Sequence, residues 1–175
     1  MQLHHYTVEP LNHLVMNLTF RTTPKKEDIQ RIMEIVESTK FFYDHEVEVA
    51  VELISERLSQ GESTGYYFVF AEVDGVTAAY TCYGPIPMSK TSFDLYWIVT
   101  HNDFRGKGIG KKLLEETYKH SVKMGCKIII AETSGLEHYA PTRAFYDSNK
   151  FDLEATLKDF YDEGDDKLFY TKRIG

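Results

Sequence analysis

The feature of this sequence that most constrains its fold is a short loop, residues 104–112, which combines glycines with positive charge. Its sequence is FRGKGIGKK, and its four cations are Arg105, Lys107, Lys111 and Lys112. The preceding residues 92–100 have the composition of a strand, and the apolar residues that follow recur at helical spacing. Glycines let a backbone approach a ligand closely, and the first N–H groups of a helix have no partner within it. Together with the helix dipole, such a loop favours a phosphate ligand; a solvated turn with surface lysines is the alternative.

The spacing of the glycines argues against two common nucleotide motifs. A P-loop needs two glycines separated by four residues and followed by lysine and a hydroxyl, and no glycine pair in the loop meets this requirement. A dinucleotide-binding loop needs G-x-G-x-x-G, whereas after Gly106 and Gly108 the third glycine, Gly110, comes one residue early. Nucleoside-triphosphate hydrolysis and dinucleotide binding are therefore disfavoured.

The overall charge is opposite to that of the loop. The 175 residues include 20 Lys and Arg against 27 Asp and Glu, which gives a formal net charge of −7. Nucleic acid is therefore not expected as a partner, because binding it needs a basic face. No membrane partner is expected either, since the longest apolar stretch, residues 128–131, is far shorter than the ~18 residues of a spanning helix. Residues 1–5 carry no cation before an apolar run, so no signal peptide is expected.

Composition and cysteine usage indicate one domain in a reducing compartment. With 42% apolar residues, the chain is expected to form a single globular domain over residues 1–175. Cys82 and Cys126 lie within apolar stretches, so both are predicted to be buried free thiols rather than a disulfide or a metal pair. A cytoplasmic location follows as an expectation. No His, Cys and Asp residues show metal-ligand spacing, and no metal cofactor is expected.

Local patterns predict the element order β-α-α-β-β-β-α-β-α-β-β, a mixed sheet with helices on its faces. A strand is predicted over residues 14–22, and Thr23 followed by Pro24 predicts the cap and first position of a helix. Asp74-Gly75 predicts a tight hairpin turn. The strand, helix and strand around the glycine-rich loop imply one parallel crossover. The later strands are predicted at residues 92–100, 127–133, 151–160 and 167–174, with a short helix at 139–149.

The loop also fits a known pattern, R-x-x-G-x-G, through Arg105, Gly108 and Gly110. Placed between a strand and an amphipathic helix, it resembles the pyrophosphate loop of the GNAT superfamily of acetyl-CoA-dependent N-acetyltransferases. Residues 94–101, DLYWIVTH, resemble the fourth strand of that family. Residues 144–151, with AFY followed by NKF, resemble its helix ending in Phe-Tyr and the later Gly-Phe.

The resemblance covers residues 66–174 well and extends to the order of elements before them. Three positions depart from the family pattern: Tyr139, Thr142 and Lys150 stand where the family usually has Asn, Ala and Gly. The resemblance implies an α/β (α+β) GNAT fold, with a mixed, mostly antiparallel sheet splayed between the fourth and fifth strands and helices on both faces.

By the same resemblance, acetyl-CoA enters the gap between these strands as co-substrate, and no metal is needed. Its pantetheine arm pairs with the fourth strand, whose backbone N–H polarises the thioester, and the loop holds the pyrophosphate. The implied cofactor-binding residues are Ile98, Val99, Thr100, Arg105, Gly106, Lys107, Gly108, Ile109, Gly110, Lys111, Thr142 and Tyr146.

The implied reaction is direct attack of a primary amine on the thioester, which needs a neutral amine and is helped by a base. Asp94 and Glu132 are the candidate bases. Asp94 is expected to share its side-chain parity with Ile98, and Glu132 ends the fifth strand across the expected gap. A solvent-facing carboxylate is the alternative for each. Tyr146 is the candidate general acid for the departing CoA thiolate, and a packing role beside Phe145 is its alternative.

Residues 151–166 contain seven acids and one lysine. They form either a solvated face or a region that attracts a cationic amine toward the acceptor site. The acceptor is expected to be a small-molecule or peptide amine, and the resemblance makes a homodimer plausible. Two other functions stay open: a non-catalytic acyl-CoA-binding or regulatory module on the same fold, and a phosphate-binding domain unrelated to CoA.

Overall fold

The computed structural model of the protein describes residues 16–175. The prediction for residues 1–5, and the first residues of the strand predicted from residue 14, lie outside the described part of the chain. The described strands are β1 (Leu18–Arg21), β2 (Tyr67–Val73), β3 (Val76–Pro85), β4 (Ser92–Thr100), β5 (Ile128–Ser134), β6 (Asp152–Asp162) and β7 (Asp165–Arg173). The helices are α1 (Asp28–Ser38), α2 (Asp44–Gln60), α3 (Ile109–Lys123) and α4 (Ala140–Ser148).

The seven strands form one sheet in the order β1-β2-β3-β4-β5-β7-β6. All neighbouring strands are antiparallel except β4 and β5, which are parallel and connected through α3. These two strands pair only from Ser92 with Ile128 to Asp94 with Ile130, and beyond that point they separate. The predicted mixed sheet and its splay between the fourth and fifth strands are confirmed.

Helices cover both faces of the sheet, each over its own apolar core. On one face, Ile32 and Ile35 of α1 and Ile54 of α2 pack with Phe70 and Tyr80 of the sheet. On the other face, α3 and α4 pack on the remaining buried strand residues. Burial of each large apolar side chain stabilises the fold by roughly 1.5–3 kcal/mol. Cys82 and Cys126 are buried and free, as predicted.

The start of α1 differs from the prediction. The helix begins at Asp28 rather than at Pro24, because a charged contact fixes its first turn. The Asp28 carboxylate accepts a hydrogen bond from the Lys25 N–H at 2.7 Å and pairs with Arg21 of β1. Arg21 also donates to Glu72 of β2 at 2.6 Å.

None of the helices within residues 16–175 is long and apolar enough to span a membrane.

The chain leaves α4 through a residue in the left-handed conformation. Lys150 has a φ of +64°, and the N–H groups of Lys150 and Phe151 donate to the carbonyls of Asp147 and Tyr146 at 3.0 and 3.1 Å. This arrangement is the usual end of a helix at a glycine. A residue with a Cβ costs roughly 1–2 kcal/mol in this conformation.

We therefore expect Lys150→Gly to raise the free energy of unfolding by about 0.5–1 kcal/mol, because it relieves this strain at the cost of some unfolded-state entropy. Chemical denaturation of the variant and the wild type measures the difference. Lys150→Ala, which removes the same charge but keeps the Cβ, is the matched control and should show no comparable gain. Equal gains in both variants would attribute the effect to charge rather than to the backbone.

Candidate functional site

A cleft of about 710 Å³ lies beside the end of β4. Four parts of the chain line it: the last residues of β4, the glycine-rich loop with the start of α3, one side of α4, and the segment between α1 and α2. Ten of the residues predicted from the resemblance to hold a cofactor line this cleft, and Lys107 and Tyr146 do not. The ten are Ile98, Val99, Thr100, Arg105, Gly106, Gly108, Ile109, Gly110, Lys111 and Thr142.

The loop presents a row of free backbone N–H groups. Gly106 and Gly108 have φ values of +74° and +73°, which a residue without a Cβ adopts readily. The N–H of Lys112 is the first in α3 to find a backbone acceptor, the Gly108 carbonyl at 3.3 Å. Within the described residues, the N–H groups of residues 106–111 have no backbone acceptor. A Cβ on Gly110 would lie 3.3 Å from the Phe145 ring, so close packing on α4 also favours glycine there.

The loop cations have no acidic partner. None of the ion pairs found in residues 16–175 includes Arg105, Lys107 or Lys111. The Lys107 Nζ donates to the Asp103 carbonyl at 3.0 Å and lies 5.1 Å from the centre of the Phe104 ring. The loop therefore combines free N–H groups, a helix N-terminus and uncompensated positive charge, which together suit a diphosphate.

The edge of β4 next to the loop is open. β4 pairs with β3 up to Thr100, but with β5 only up to Asp94. In the described part of the chain, the backbone groups of residues 95–100 on the β5 side therefore have no strand partner. A free strand edge of this kind can bind an extended ligand by main-chain hydrogen bonds.

One side of α4 forms the opposite wall. Thr142, Phe145 and Asn149 line the cleft. Tyr146 lies beside them on the same helix but is only 5% exposed. Its ring packs 5.2 Å from that of Phe151 and 5.4 Å from that of Tyr170. Burial, with a smaller contribution from Tyr170, raises the pKa of Tyr146 well above its usual value.

The segment between α1 and α2 contributes an aromatic wall that was not predicted from the sequence. Phe41 stacks on His138 with ring centres 4.3 Å apart, and the His138 Nε2 lies 2.9 Å from the Phe41 carbonyl oxygen. Phe42 packs against Trp97 at 4.9 Å. Phe41, Phe42 and His138 all line the cleft. Two adjacent phenylalanines directly after a helix were the available signal, but nothing in the sequence indicated a contact across 97 residues.

A bulge in β4 changes which residues share a face. Cys82 of β3 pairs with Trp97 and Tyr83 pairs with Leu95, so Tyr96 is the extra residue of the bulge and has no partner in β3. Leu95 therefore belongs to the α3 face and so does Ile98, whereas Trp97 belongs to the α1–α2 face. The expectation that Asp94 shares its side-chain parity with Ile98 is wrong, because the extra residue reverses the alternation between them.

Asp94 and Glu132 lie at the point where β4 and β5 separate, outside the lining of the cleft. Glu132 pairs with Lys167 of β7. Burial raises the pKa of Asp94 from 3.8 to about 6, the charge of Glu132 adds to the rise, and Lys167 opposes it. The structure thus places the two predicted carboxylates near each other, on the sheet face that α4 does not cover.

The acids of residues 151–166 lie on the hairpin of β6 and β7, and part of their charge is already bound. Lys158 pairs with Asp166, Asp165 accepts from the Ser134 hydroxyl at 2.5 Å, and Asp159 accepts from the Gly164 N–H at 2.7 Å. Every residue of β6 is exposed. The solvated-face interpretation is therefore supported for Asp159 of β6, whereas Asp165 and Asp166 of β7 are partly buried and bound.

Comparisons with known proteins agree with this geometry. The sequence profile of the acetyltransferase (GNAT) family matches residues 29–151. A crystal structure of a protein ascribed to the GNAT acetyltransferase family from Desulfovibrio desulfuricans is 42% identical, with a TM-score of 0.89 over 91% of this chain and 100% of that one. No curated protein sequence matches the chain significantly.

Two more distant structures share the fold. The ribosomal-protein-S18-alanine N-acetyltransferase of Escherichia coli is 18% identical, with a TM-score of 0.70 over 91% of this chain and 95% of that one. The yncA protein of Salmonella typhimurium, solved with its cofactor acetyl-CoA, is 18% identical, with a TM-score of 0.67 over 90% and 94% of the two chains.

The raised pKa of Asp94 makes its contribution to stability depend on pH. A carboxyl whose pKa is higher in the folded than in the unfolded protein stabilises the fold below that pKa, and the contribution is lost as the pH rises through about 6. We expect Asp94→Asn to be more stable than the wild type at pH 7.5 by about 1 kcal/mol, a value reduced for solvent screening of a half-buried group, and to lose this advantage near pH 4. Denaturant unfolding at both pH values measures it. A stability difference between the variant and the wild type that is the same at both pH values would contradict the raised pKa of Asp94.

Proposed function

The chain belongs to the GNAT acetyltransferase family, and we propose that it transfers the acetyl group of acetyl-CoA to a primary amine by direct attack in a ternary complex. One observation carries the proposal: the open edge of β4 leads directly into a loop of free N–H groups and unpaired cations at the start of α3. An extended arm that ends in a diphosphate fits this pair of features.

The cleft and the loop beside it offer partners for the phosphates and for the pantetheine arm of acetyl-CoA. The N–H groups of residues 106–110 and the charges of Arg105, Lys107 and Lys111 would hold the diphosphate and the nearby phosphate. The open backbone at residues 98–100 would pair with the pantetheine arm. The thioester supplies an activated acetyl group, and a β4 backbone N–H would polarise its carbonyl.

The acceptor must lose a proton before it can attack. For a lysine-like amine at pH 7, deprotonation costs about 4.6 kcal/mol, so a nearby carboxylate speeds the reaction. Asp94 and Glu132 are the proposed bases, since both lie at the start of the gap between β4 and β5. Both carboxylates also favour a cationic amine over a neutral acceptor.

Tyr146 is the proposed general acid. It lies one helical turn from both Thr142 and Asn149, which line the cleft, so it sits at the inner edge of that wall. Burial keeps its phenol protonated, which a proton donor requires.

The acceptor is proposed to be a small-molecule or peptide amine; the Escherichia coli protein with this fold acts on the alanine of a ribosomal protein.

The proposal is tested by measuring thiol release from acetyl-CoA over a broad panel of primary amines. Release that depends on the amine, with formation of the acetylated product, supports it. Binding of acetyl-CoA without turnover of any amine would favour the non-catalytic acyl-CoA-binding module on the same fold. Absence of binding would contradict the assignment of the cleft.

We expect Gly108→Asp to weaken acetyl-CoA binding by about 100-fold or more. The new carboxylate would repel the diphosphate and disturb the N–H groups of the loop. The binding free energy lost would be comparable with that of one or two charge-assisted hydrogen bonds. Isothermal titration calorimetry measures the affinity. The matched control is Gly75→Asp in the β2–β3 hairpin, which has a similar φ of +83° and open space around it, and its affinity should equal that of the wild type. Equal losses in both variants would point to misfolding instead.

We expect Tyr146→Phe to lower turnover by about 100-fold while leaving acetyl-CoA affinity unchanged, because the ring keeps its packing and only the proton donor is removed. Steady-state kinetics with the best amine of the panel, together with calorimetry, separates the two quantities. Turnover equal to that of the wild type would assign Tyr146 to packing against Phe151 and Tyr170.

A further inference from the structure

A lysine of β7 is held in an unusual setting next to the proposed bases. The Lys167 side chain is only 14% exposed. Its Nζ lies 4.4 Å from the centre of the Phe160 ring, 5.3 Å from that of Phe169 and 5.8 Å from that of Tyr161. Lysine is rarely buried without a partner, and aromatic faces attract its charge. This ammonium is therefore fixed in position rather than free in solvent.

The fixed ammonium pairs with the Glu132 carboxylate across the β5–β7 ladder. Lys167 is opposite Ser134 in the register, and Phe169 is opposite Glu132, so the two charges are diagonal neighbours on one face. Ile130, two residues before Glu132 and on the same face, pairs with Asp94. The register thus brings Asp94, Glu132 and Lys167 together where the gap opens.

The three charges are not equivalent. Glu132 is bound by Lys167, whereas within residues 16–175 Asp94 makes no ion pair and accepts no side-chain hydrogen bond. Two adjacent carboxylates disfavour each other's ionised form, and a cation bound to one relieves this. Glu132 is therefore engaged by a cation, whereas Asp94 is the carboxylate left open to a proton from an acceptor.

We propose that Lys167 is a positioning residue that holds Glu132 in an ion pair turned toward β7, so that Asp94 is the carboxylate that takes the proton from the acceptor amine. The inference rests on the proposed acetyl transfer and deepens it, because it assigns different roles to the two carboxylates. Lys167 itself contacts neither the cleft nor the reacting atoms.

The proton balance is simple. The acceptor ammonium gives one proton to the Asp94 carboxylate and becomes a neutral amine. Its nitrogen forms a bond to the acetyl carbon as the carbon–sulfur bond breaks, and the second nitrogen proton ends on the CoA sulfur. The products are the amide and CoA thiol, and the Asp94 carboxyl releases its proton to solvent.

The test compares the pH dependence of kcat/KM in the wild type, Lys167→Met and Lys167→Arg. The charged and titratable groups around Asp94 are Glu132 and Lys167, with Tyr96 on its own strand, and Tyr161 faces Glu132 from the hairpin. Loss of the cation removes the group that opposes protonation of Asp94. We expect the fall of kcat/KM on the acid side of its pH profile to move to higher pH in Lys167→Met. The variant's kcat/KM should be about tenfold below that of the wild type at pH 6.5, and much closer to it at pH 8.5.

Two variants serve as controls. Lys167→Arg keeps the charge and should restore the wild-type profile. Lys158→Met removes an exposed lysine of the same hairpin that pairs with Asp166, and it should leave the profile unchanged. The KM for acetyl-CoA should equal that of the wild type in all three. A loss in Lys167→Met that is the same at every pH would overturn the inference, since a purely structural role predicts it.

A second measurement does not depend on turnover. Titration of the carboxyl carbons by ¹³C NMR should show a higher pKa for Asp94 in Lys167→Met than in the wild type, and an unchanged pKa would overturn the inference. The two proposals fail differently. If the wild type acetylates no amine, the proposed function fails and the proton-transfer role of Asp94 fails with it. If the wild type is active but the acid side of the pH profile does not move, only the role of Lys167 fails.

Discussion

The early separation of β4 and β5 is the constraint on which the rest of the structure depends. The two strands pair over three residue pairs, up to Asp94 and Ile130. The sheet tolerates this gap because each strand keeps an antiparallel partner on its other side, β3 for β4 and β7 for β5. Where the two strands separate, the facing edges of β4 and β5 have no strand partner within residues 16–175, and α3 and α4 pack on one face of the sheet. A ligand arm can therefore pair with β4 without displacing any existing strand.

The bulge at Tyr96 turns this gap into a site with two different sides. Without it, Asp94 and Ile98 would face the same side of the sheet. With it, Ile98 joins the core of α3, and Asp94 shares the opposite face with Trp97. The α3 core thus lies on one side of β4, and Asp94 and Glu132 lie on the other. One extra residue in the strand decides which face of the sheet carries Asp94.

Local patterns in the sequence were enough to predict the strand over Ser92–Thr100, the glycine-rich loop and the element order, because each depends on residues close together in the chain. The family resemblance added the splayed sheet and most of the residues along the cleft. Contacts between distant segments could not be predicted. The Arg21–Asp28 pair that sets the start of α1, the stacking of Phe41 on His138, and the Lys167–Glu132 pair all depend on packing. The side-chain alternation predicted between Asp94 and Ile98 was also wrong, because a bulge interrupts the strand between them.

A net charge of −7 is compatible with binding a polyanion because charges are screened over short distances. At physiological ionic strength the screening length is about 8 Å, so acids elsewhere on the surface do not cancel the field of the loop. Among the ion pairs of residues 16–175, none includes a loop cation, whereas Lys158 and Lys167 on the β6–β7 hairpin are paired with acids. Positive charge is therefore free at one end of the cleft and neutralised near the other. The loop therefore stands out as a cationic region on an otherwise acidic surface, well separated in character from the carboxylates of Asp94 and Glu132.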